Sequence, residues 1–597
     1  MKQRYHRIVI FLIVSTCWGF SPKRQVEVTS DEIVKHIKVL ASDRMEGRGA
    51  GTRGAKKAAR YIKRQFRSFG LEPMGKRRSY YTSFEFTADV ALGKTNDMEW
   101  SSKDQTVKLK LDTDFRPLGF SASGHASGEL IFVGYGIDSE EPAYNDYSNR
   151  DVSGKVVMVL RYSPDGTNPH GDFGKYAPLR YKAMTAREQG ASAVIFVTGP
   201  EDDPEENYLM KLRYDQSFSD SGIPVVIITQ RKANELVSLA GENLIDVQKG
   251  INENLSPHSF EIPAEATLHV SVEKIKTETV NVVGLVQGAD EELKNEFVVI
   301  GAHYDHLGMG GRGSLVPDTV AIHNGADDNA SGTAGLLELA QWFGHNPPKR
   351  SLIFAAFGAE ERGLLGSADF ISNPPVPLEK IVAMMNMDMI GRMEDSTLVM
   401  GGAGTSSVWK EMIESISEEY HITPKFDDAG YGASDHQSFY LKDIPVLFFF
   451  SGAHGDYHRP SDDWEKINAP GEERIVKLIR NLVTQIADAD NPPDFVKVEK
   501  AETTSRGFAV YLGTIPDYTA TDVVGMKLSG VRAGGPAEKG GMRAGDIIIK
   551  FGETTVENIY DFMYALQAAK ADQPIEIVIL REEIAITLEV SPGKRRD

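Results

Sequence analysis

The stretch 297–366 constrains this chain more than any other. It reads FVVIGAHYDHLG, then NGADDNASGTAGLLELA, then SLIFAAFGAEERGLLGS, so that apolar runs and glycine-rich turns each deliver His, Asp or Glu. Short uninterrupted apolar runs fit strands buried on both faces, as in parallel sheets covered by helices. In an open α/β sheet the carboxyl ends of such strands meet at one crevice. Imidazole and carboxylate groups gathered there are the donors of a metal site. Apolar runs at 381–387 and 445–450, with helical segments between them, carry the pattern to about residue 488. The fold class expected is α/β: a mostly parallel mixed sheet flanked by helices on both faces.

Each charged residue has an ordinary and a chemical reading. His303 and Asp305 lie two apart at a strand end, so both side chains point to one face. An imidazole there suits Zn²⁺, and a carboxylate beside it can hold the ring. Asp327 and Asp328 precede Ser331 and a helix starting near Thr333. Alone they would satisfy a helix N-terminus, but they directly follow the strand end that bears His303. Glu360 and Glu361 close a third apolar run. Paired acids are costly to bury unless a cation neutralises one, which leaves the other free as a proton acceptor for an activated water. Asp388, in MMNMDMIG, is a lone acid ending an apolar run, and His458 lies in YHRPSDD.

The rest of the chain supplies context. At about 150 residues per domain, 597 residues correspond to roughly four domains. The formal net charge, 66 − 85 = −19, argues against binding nucleic acid or an anionic membrane through charge. Residues 1–19 have a basic lead (Lys2, Arg4, Arg7) before an apolar segment too short to span a bilayer, the order of an export signal. Cys17 is the one cysteine, so the chain forms no internal disulfide. Val14-Ser15-Thr16-Cys17 resembles a lipobox, and acylation of Cys17 is the one route to a membrane anchor. The protein is thus expected to be periplasmic, secreted or lipid-anchored at the cell envelope. Helices are expected after Ser30, with Ile33, Ile37 and Leu40 on one side, and over 55–69. Arg48 and Arg53, in EGRGAGTRG between them, read as solvated loop arginines.

Between 121 and 265 the runs GELIFVGYGI, KVVMVLRY, ASAVIFVTG and IPVVIITQ predict strands, with a helix over 179–189. This segment resembles a protease-associated (PA) domain inserted in a peptidase. Asn491-Pro492-Pro493-Asp494 marks a linker, assigned to 489–505. Residues 506–597 resemble a PDZ domain through GGPAEKGGMRAGD, with a helix expected over 559–569. Tyr511, Leu512, Gly513 and Thr514 stand where that family binds a peptide C-terminus through backbone N–H groups.

The set HxD…DDNASG…EE…NMD…YHxPSDD resembles the co-catalytic zinc peptidase family that includes bacterial leucyl aminopeptidase and glutamate carboxypeptidase, over 28–120 and 279–488. The resemblance implies two Zn²⁺ ions, with Co²⁺ or Mn²⁺ as alternatives. Asp328 would bridge them, His303 and Asp388 would complete one site, and Glu361 and His458 the other. Glu360 would be the general base, Asp305 would orient His303, and Tyr431 would stand near the substrate carbonyl. His306 and His454 fall outside the set. The function implied is an exported metallo-exopeptidase acting on peptide substrates, an aminopeptidase first. A carboxypeptidase or glutaminyl cyclase on the same fold, or a non-catalytic receptor-like protein, are the alternatives. A glutaminyl cyclase would need one zinc, and a receptor would be expected to have lost ligands.

Overall fold

The computed structural model describes residues 26–597 apart from 167–171, 204–207, 216–219, 312, 317–318, 453, 499–509, 517–524, 532–534, 544, 553, 557–561, 563–564, 567–568, 571–572, 582–583 and 595–597. The expected export signal, Cys17 and much of the expected 559–569 helix lie outside the described residues. Among the described residues no helix is long and apolar enough to cross a membrane.

The largest sheet among the described residues has nine strands. Its middle strands run Ser351–Phe357, Phe297–His303, Ile381–Met387 and Val446–Phe450, each parallel to the next. Val272–Val286 adds antiparallel at one side and Thr397–Gly401 at the other. Alternate residues serve opposite faces, as the two-residue repeat requires. Val298, Ile300, Leu352 and Phe354 pack under the helices Ser30–Leu40, Arg53–Ser68, Gly332–His345 and Ala469–Asp488. Val299, Ile353, Phe357 and Met384 pack with Phe370 and Phe439 of the helices Leu365–Ser372 and His436–Tyr440. Every residue of Ser351–Phe357 is buried, which accounts for its unbroken apolar sequence. The first helix is capped by the Thr29 side chain, one residue before the Ser30 cap expected.

A separate eight-stranded sheet forms the inserted domain. In sequence it begins with Asp97–Ser101, Thr106–Leu109 and Phe115–Pro117 and closes with Ser259–Val270; in space Thr106–Leu109 and Phe115–Pro117 are its two edges, and Ser259–Val270 is an inner strand. Its limits lie outside the 121–265 expected, since short polar-flanked strands give little sign of which sheet they join. Its central strands Val156–Leu160, Ala193–Val197 and Val225–Ile228 are parallel and fully buried. In the C-terminal sheet, Ile575–Arg581 pairs with Ile584–Val590. The Leu512 carbonyl accepts from Ala537 N–H at 2.7 Å, and Gly513 has φ 80°, so the 511–514 turn is held against the helix Pro536–Lys539.

The 489–505 linker assignment needs correction in its first half. Residues 494–498 hydrogen-bond to Thr405, Ser406, Ser407 and Tyr440, beside the nine-stranded sheet. The Pro-Pro pair removes backbone donors only at 492–493, leaving those that follow free to dock.

Candidate metal centre

The functional side chains meet at the carboxyl ends of the parallel strands. His303 ends Phe297–His303, Glu360 and Glu361 follow Ser351–Phe357, and Asp388 follows Ile381–Met387. Asp328 comes from the tight turn Ala326–Ser331, and His458 from the loop after Val446–Phe450. The Asp328–Asn329 peptide is cis. Ser331 does not cap the following helix: its Oγ lies 2.7 Å from the Asp327 carbonyl oxygen and accepts from Ile390 N–H at 3.1 Å. Asn329 does that work, its Oδ1 accepting from Gly332 N–H at 2.9 Å. A Cβ on Gly332 would lie 2.5 Å from the Met387 carbonyl oxygen, so only glycine lets the helix start this close to the strand.

Two groups of donor atoms result, each compact enough to surround one ion. The first is His303, Glu360 and Asp388; the second is His306, Asp328, Glu361 and His458. Asp328 stands between them. Its Oδ1 is 3.4 Å from His303 Nε2, and its Oδ2 is 3.1 Å from His458 Nε2. His303 Nε2 is also 3.2 Å from Asp388 Oδ1, and His458 Nε2 is 3.4 Å from Glu361 Oε2. His306 was expected outside the set. Instead its Nδ1 lies 2.7 Å from Glu361 Oε1, because the chain turns after His303 and brings the buried ring back over the second group. His454 does stay outside, 3.1 Å from Asp327 Oδ2.

The imidazoles are aimed by what lies behind them. His458 Nδ1 donates to the Gly313 carbonyl at 2.7 Å, which turns Nε2 toward the acids. The loop carrying Gly313 is itself pinned by Ser314 Oγ, 2.8 Å from Nε2 of the buried His323. His303 Nδ1 is 3.2 Å from the main-chain carbonyl of Asp305 and 3.9 Å from its carboxylate. The strand ends at His303, so the two-residue register that would place the Asp305 carboxylate beside the ring does not extend to it. That carboxylate instead accepts the Glu360 N–H at 3.0 Å, which fixes the turn presenting Glu360 and Glu361. Ser434 Oγ donates to Asp388 Oδ2 at 2.7 Å, and both N–H groups of Asp327 and Asp328 donate to Asp462 Oδ2 at 2.9 and 3.1 Å. Tyr431 sits on the rim, 39 % exposed.

Charge at the centre is unbalanced without a cation. Burial, then Asp388, Glu361 and Asp435, push the Glu360 carboxyl well above its ordinary range, although His303 opposes them. Burial alone would lower the His458 pKa, but Asp328 and Glu361 at its Nε2 raise it to about 11. Asp305 is pushed up to about 6 by burial, against the pull of His303. His306 Nε2 is buried without a hydrogen-bond partner. Imidazole and carboxylate donors crowded this closely fit Zn²⁺.

Arg48 was missed as a structural element of the site. It is fully buried, and its guanidinium donates to the carbonyls of Tyr304 (2.8 Å), Leu40 (2.9 Å), Asn324 (2.5 Å) and Gly325 (2.8 Å). It thereby ties the N-terminal helices to both loops that carry donors. Each carbonyl left unpaired in its absence would cost about 1–3 kcal/mol. Burial lowers its pKa to about 10, with Asp328 and Asp462 opposing, so it remains a cation at neutral pH.

Three family models match the chain: peptidase family M28 over residues 281–483, the PA domain over 126–236 and the PDZ domain over 528–581. The chain carries a peptidase family M28 domain over residues 281–483. The chain is 25 % identical over 463 residues to an aminopeptidase of Pseudomonas aeruginosa, covering 74 % of each. It is 26 % identical over 389 residues to aminopeptidase YwaD of Bacillus subtilis, covering 63 % of this chain and 72 % of that one. The solved aminopeptidase from Aneurinibacillus sp. strain AM-1 is 22 % identical, with a TM-score of 0.47, covering 79 % of this chain and 97 % of the other. All seven donors of the two groups fall inside the M28 match, while Arg48 lies outside it.

Proposed function

We propose that this chain is an exported aminopeptidase that works with two zinc ions. The observation that carries the reading is Asp328, whose two carboxylate oxygens face different donor groups. His303 and Asp388 would hold one ion with Asp328; Glu361 and His458 would hold the other, with His306 against Glu361. Bound there, zinc supplies Lewis acidity that polarises the scissile carbonyl and acidifies the attacking water. Glu360 accepts a proton from that water and returns it to the leaving amine. The Asp305 carboxylate keeps Glu360 in place through its N–H. Tyr431, exposed at the rim, offers its hydroxyl to the oxygen of the carbonyl under attack.

A panel of free-amine, N-blocked and C-blocked peptides tests the reading. Loss of cleavage on N-blocking, with C-blocking tolerated, is expected. The reverse pattern would make the protein a carboxypeptidase, and release of a cyclised N-terminal glutamine would make it a cyclase. The C-terminal domain would take a peptide carboxylate at Tyr511–Thr514, and the same free-acid and C-amidated peptides, compared by titration calorimetry, test this. Export rests on the basic-then-apolar N-terminus. The mature chain is expected to lack its leader, which intact mass reads; a full-length mass after expression in a secreting host would refute it.

A further inference from the structure

We propose that residues 494–498 are a positioning strap that sets the loop presenting Tyr431, and so tunes turnover. This rests on the aminopeptidase reading for its effect on turnover, but not for its effect on the loop. One edge of the strap grips the turn after Thr397–Gly401. Asp494 Oδ1 accepts from Ser406 Oγ (2.7 Å), Ser407 N–H (3.0 Å) and Ser407 Oγ (2.9 Å), and Val496 N–H donates to the Thr405 carbonyl (2.8 Å). Thr405 is in turn bonded to Val446 of the central sheet, its Oγ1 accepting from Val446 N–H at 3.0 Å. The turn is therefore a fixed point.

The other edge holds Tyr440. Val498 N–H donates to its hydroxyl at 3.1 Å, and the half-buried Phe495 ring lies 5.7 Å from its ring, centre to centre. Tyr431 packs edge-on against the same ring at 4.8 Å. Tyr440, 3 % exposed, is thus a wedge shared by the strap and the rim tyrosine. The loop between them has no slack. A Cβ on Gly430 would lie 2.2 Å from the Tyr440 ring, and the Ala429 carbonyl accepts from Gly402 N–H at 2.9 Å. Further on, Ser434 donates to Asp388. The loop 427–434 therefore runs from a platform fixed by the strap to a proposed metal ligand, with Tyr431 midway.

Full-chain Phe495→Ala and Asp494→Ala test the proposal, the second removing hydrogen bonds while keeping the ring. The tilted Phe495–Tyr440 contact that is removed corresponds to about a three- to tenfold change in an equilibrium. kcat/KM for an amino-acid p-nitroanilide is expected to fall by about that factor, through kcat, with metal content unchanged. Phe495→Tyr should restore the parent value. Phe495→Ala should add nothing further in a Tyr431→Ala background, and hydrogen exchange across 427–433 should quicken in both strap variants. Unchanged exchange in both, or full additivity with Tyr431→Ala, would overturn the strap. Should the parent cleave no p-nitroanilide, the aminopeptidase reading fails while exchange across 427–433 still decides the strap.

Discussion

Glu360→Gln is expected to lower kcat by about 10²–10⁴-fold while KM and metal content stay near the parent values. The substitution keeps the size of the side chain and its main-chain N–H, so the hydrogen bond to Asp305 at 3.0 Å survives. What is lost is the ability to take a proton. The closest histidine nitrogen, His303 Nε2, stands 3.9 Å from Glu360 Oε2, a looser approach than its 3.2 Å to Asp388. Glu360 thus sits at the edge of the first donor group rather than in its middle, as a residue that serves the water rather than the ion should. With a cation present its raised pKa falls toward the range of a working base, because the charges that raise it, Asp388 and Glu361, are then neutralised. Full activity in this variant with metal retained would remove Glu360 from the reaction. Activity loss together with metal loss would make it a ligand instead.

Much of this site is legible in the sequence because parallel strands force it to be. Apolar runs such as SLIFAAF must be buried on both faces, and the acids that follow them must leave the sheet at one edge. Hence His303, Glu360, Glu361 and Asp388 can be gathered from pattern alone. His306 cannot, because its place depends on a turn after the strand end and not on strand register. Arg48 is likewise hidden: in EGRGAGTRG it looks like a loop residue, yet four carbonyls from distant parts of the chain surround it. Such a role is defined by acceptors contributed by Leu40, Tyr304, Asn324 and Gly325, none of which has a side-chain signature. The same holds for the strap, where Asn491-Pro492-Pro493-Asp494 carries every local sign of a linker and the docking is written in Ser406, Ser407 and Tyr440. The inserted domain shows the converse case. Its buried strands are plain, but its outer strands alternate polar and apolar residues and fit either sheet.

Asp328→Asn is expected to cost both ions, whereas Glu361→Gln should cost one. Asp328 contributes an oxygen to each donor group, so removing its charge weakens both at once; Glu361 faces only His306 and His458. Metal analysis after dialysis should therefore fall well below one ion per chain for Asp328→Asn and to about one for Glu361→Gln, against two for the parent. Stability should follow the same order. An ion present at about 1,000 times its Kd stabilises the folded state by about 4 kcal/mol, and that contribution vanishes on chelation. In the stripped protein the acids must be balanced from within, and His458, held protonated by Asp328 and Glu361, is the cation best placed to do so. The apo form should consequently fold but melt at a lower temperature than the loaded form, with the difference restored by adding Zn²⁺. For Asp328→Asn the melting temperature should hardly respond to chelator, since there is little metal to remove. A variant that keeps two ions and a chelator-sensitive melt would show that Asp328 bridges nothing, and a parent that never holds more than one would confine the chemistry to a single ion.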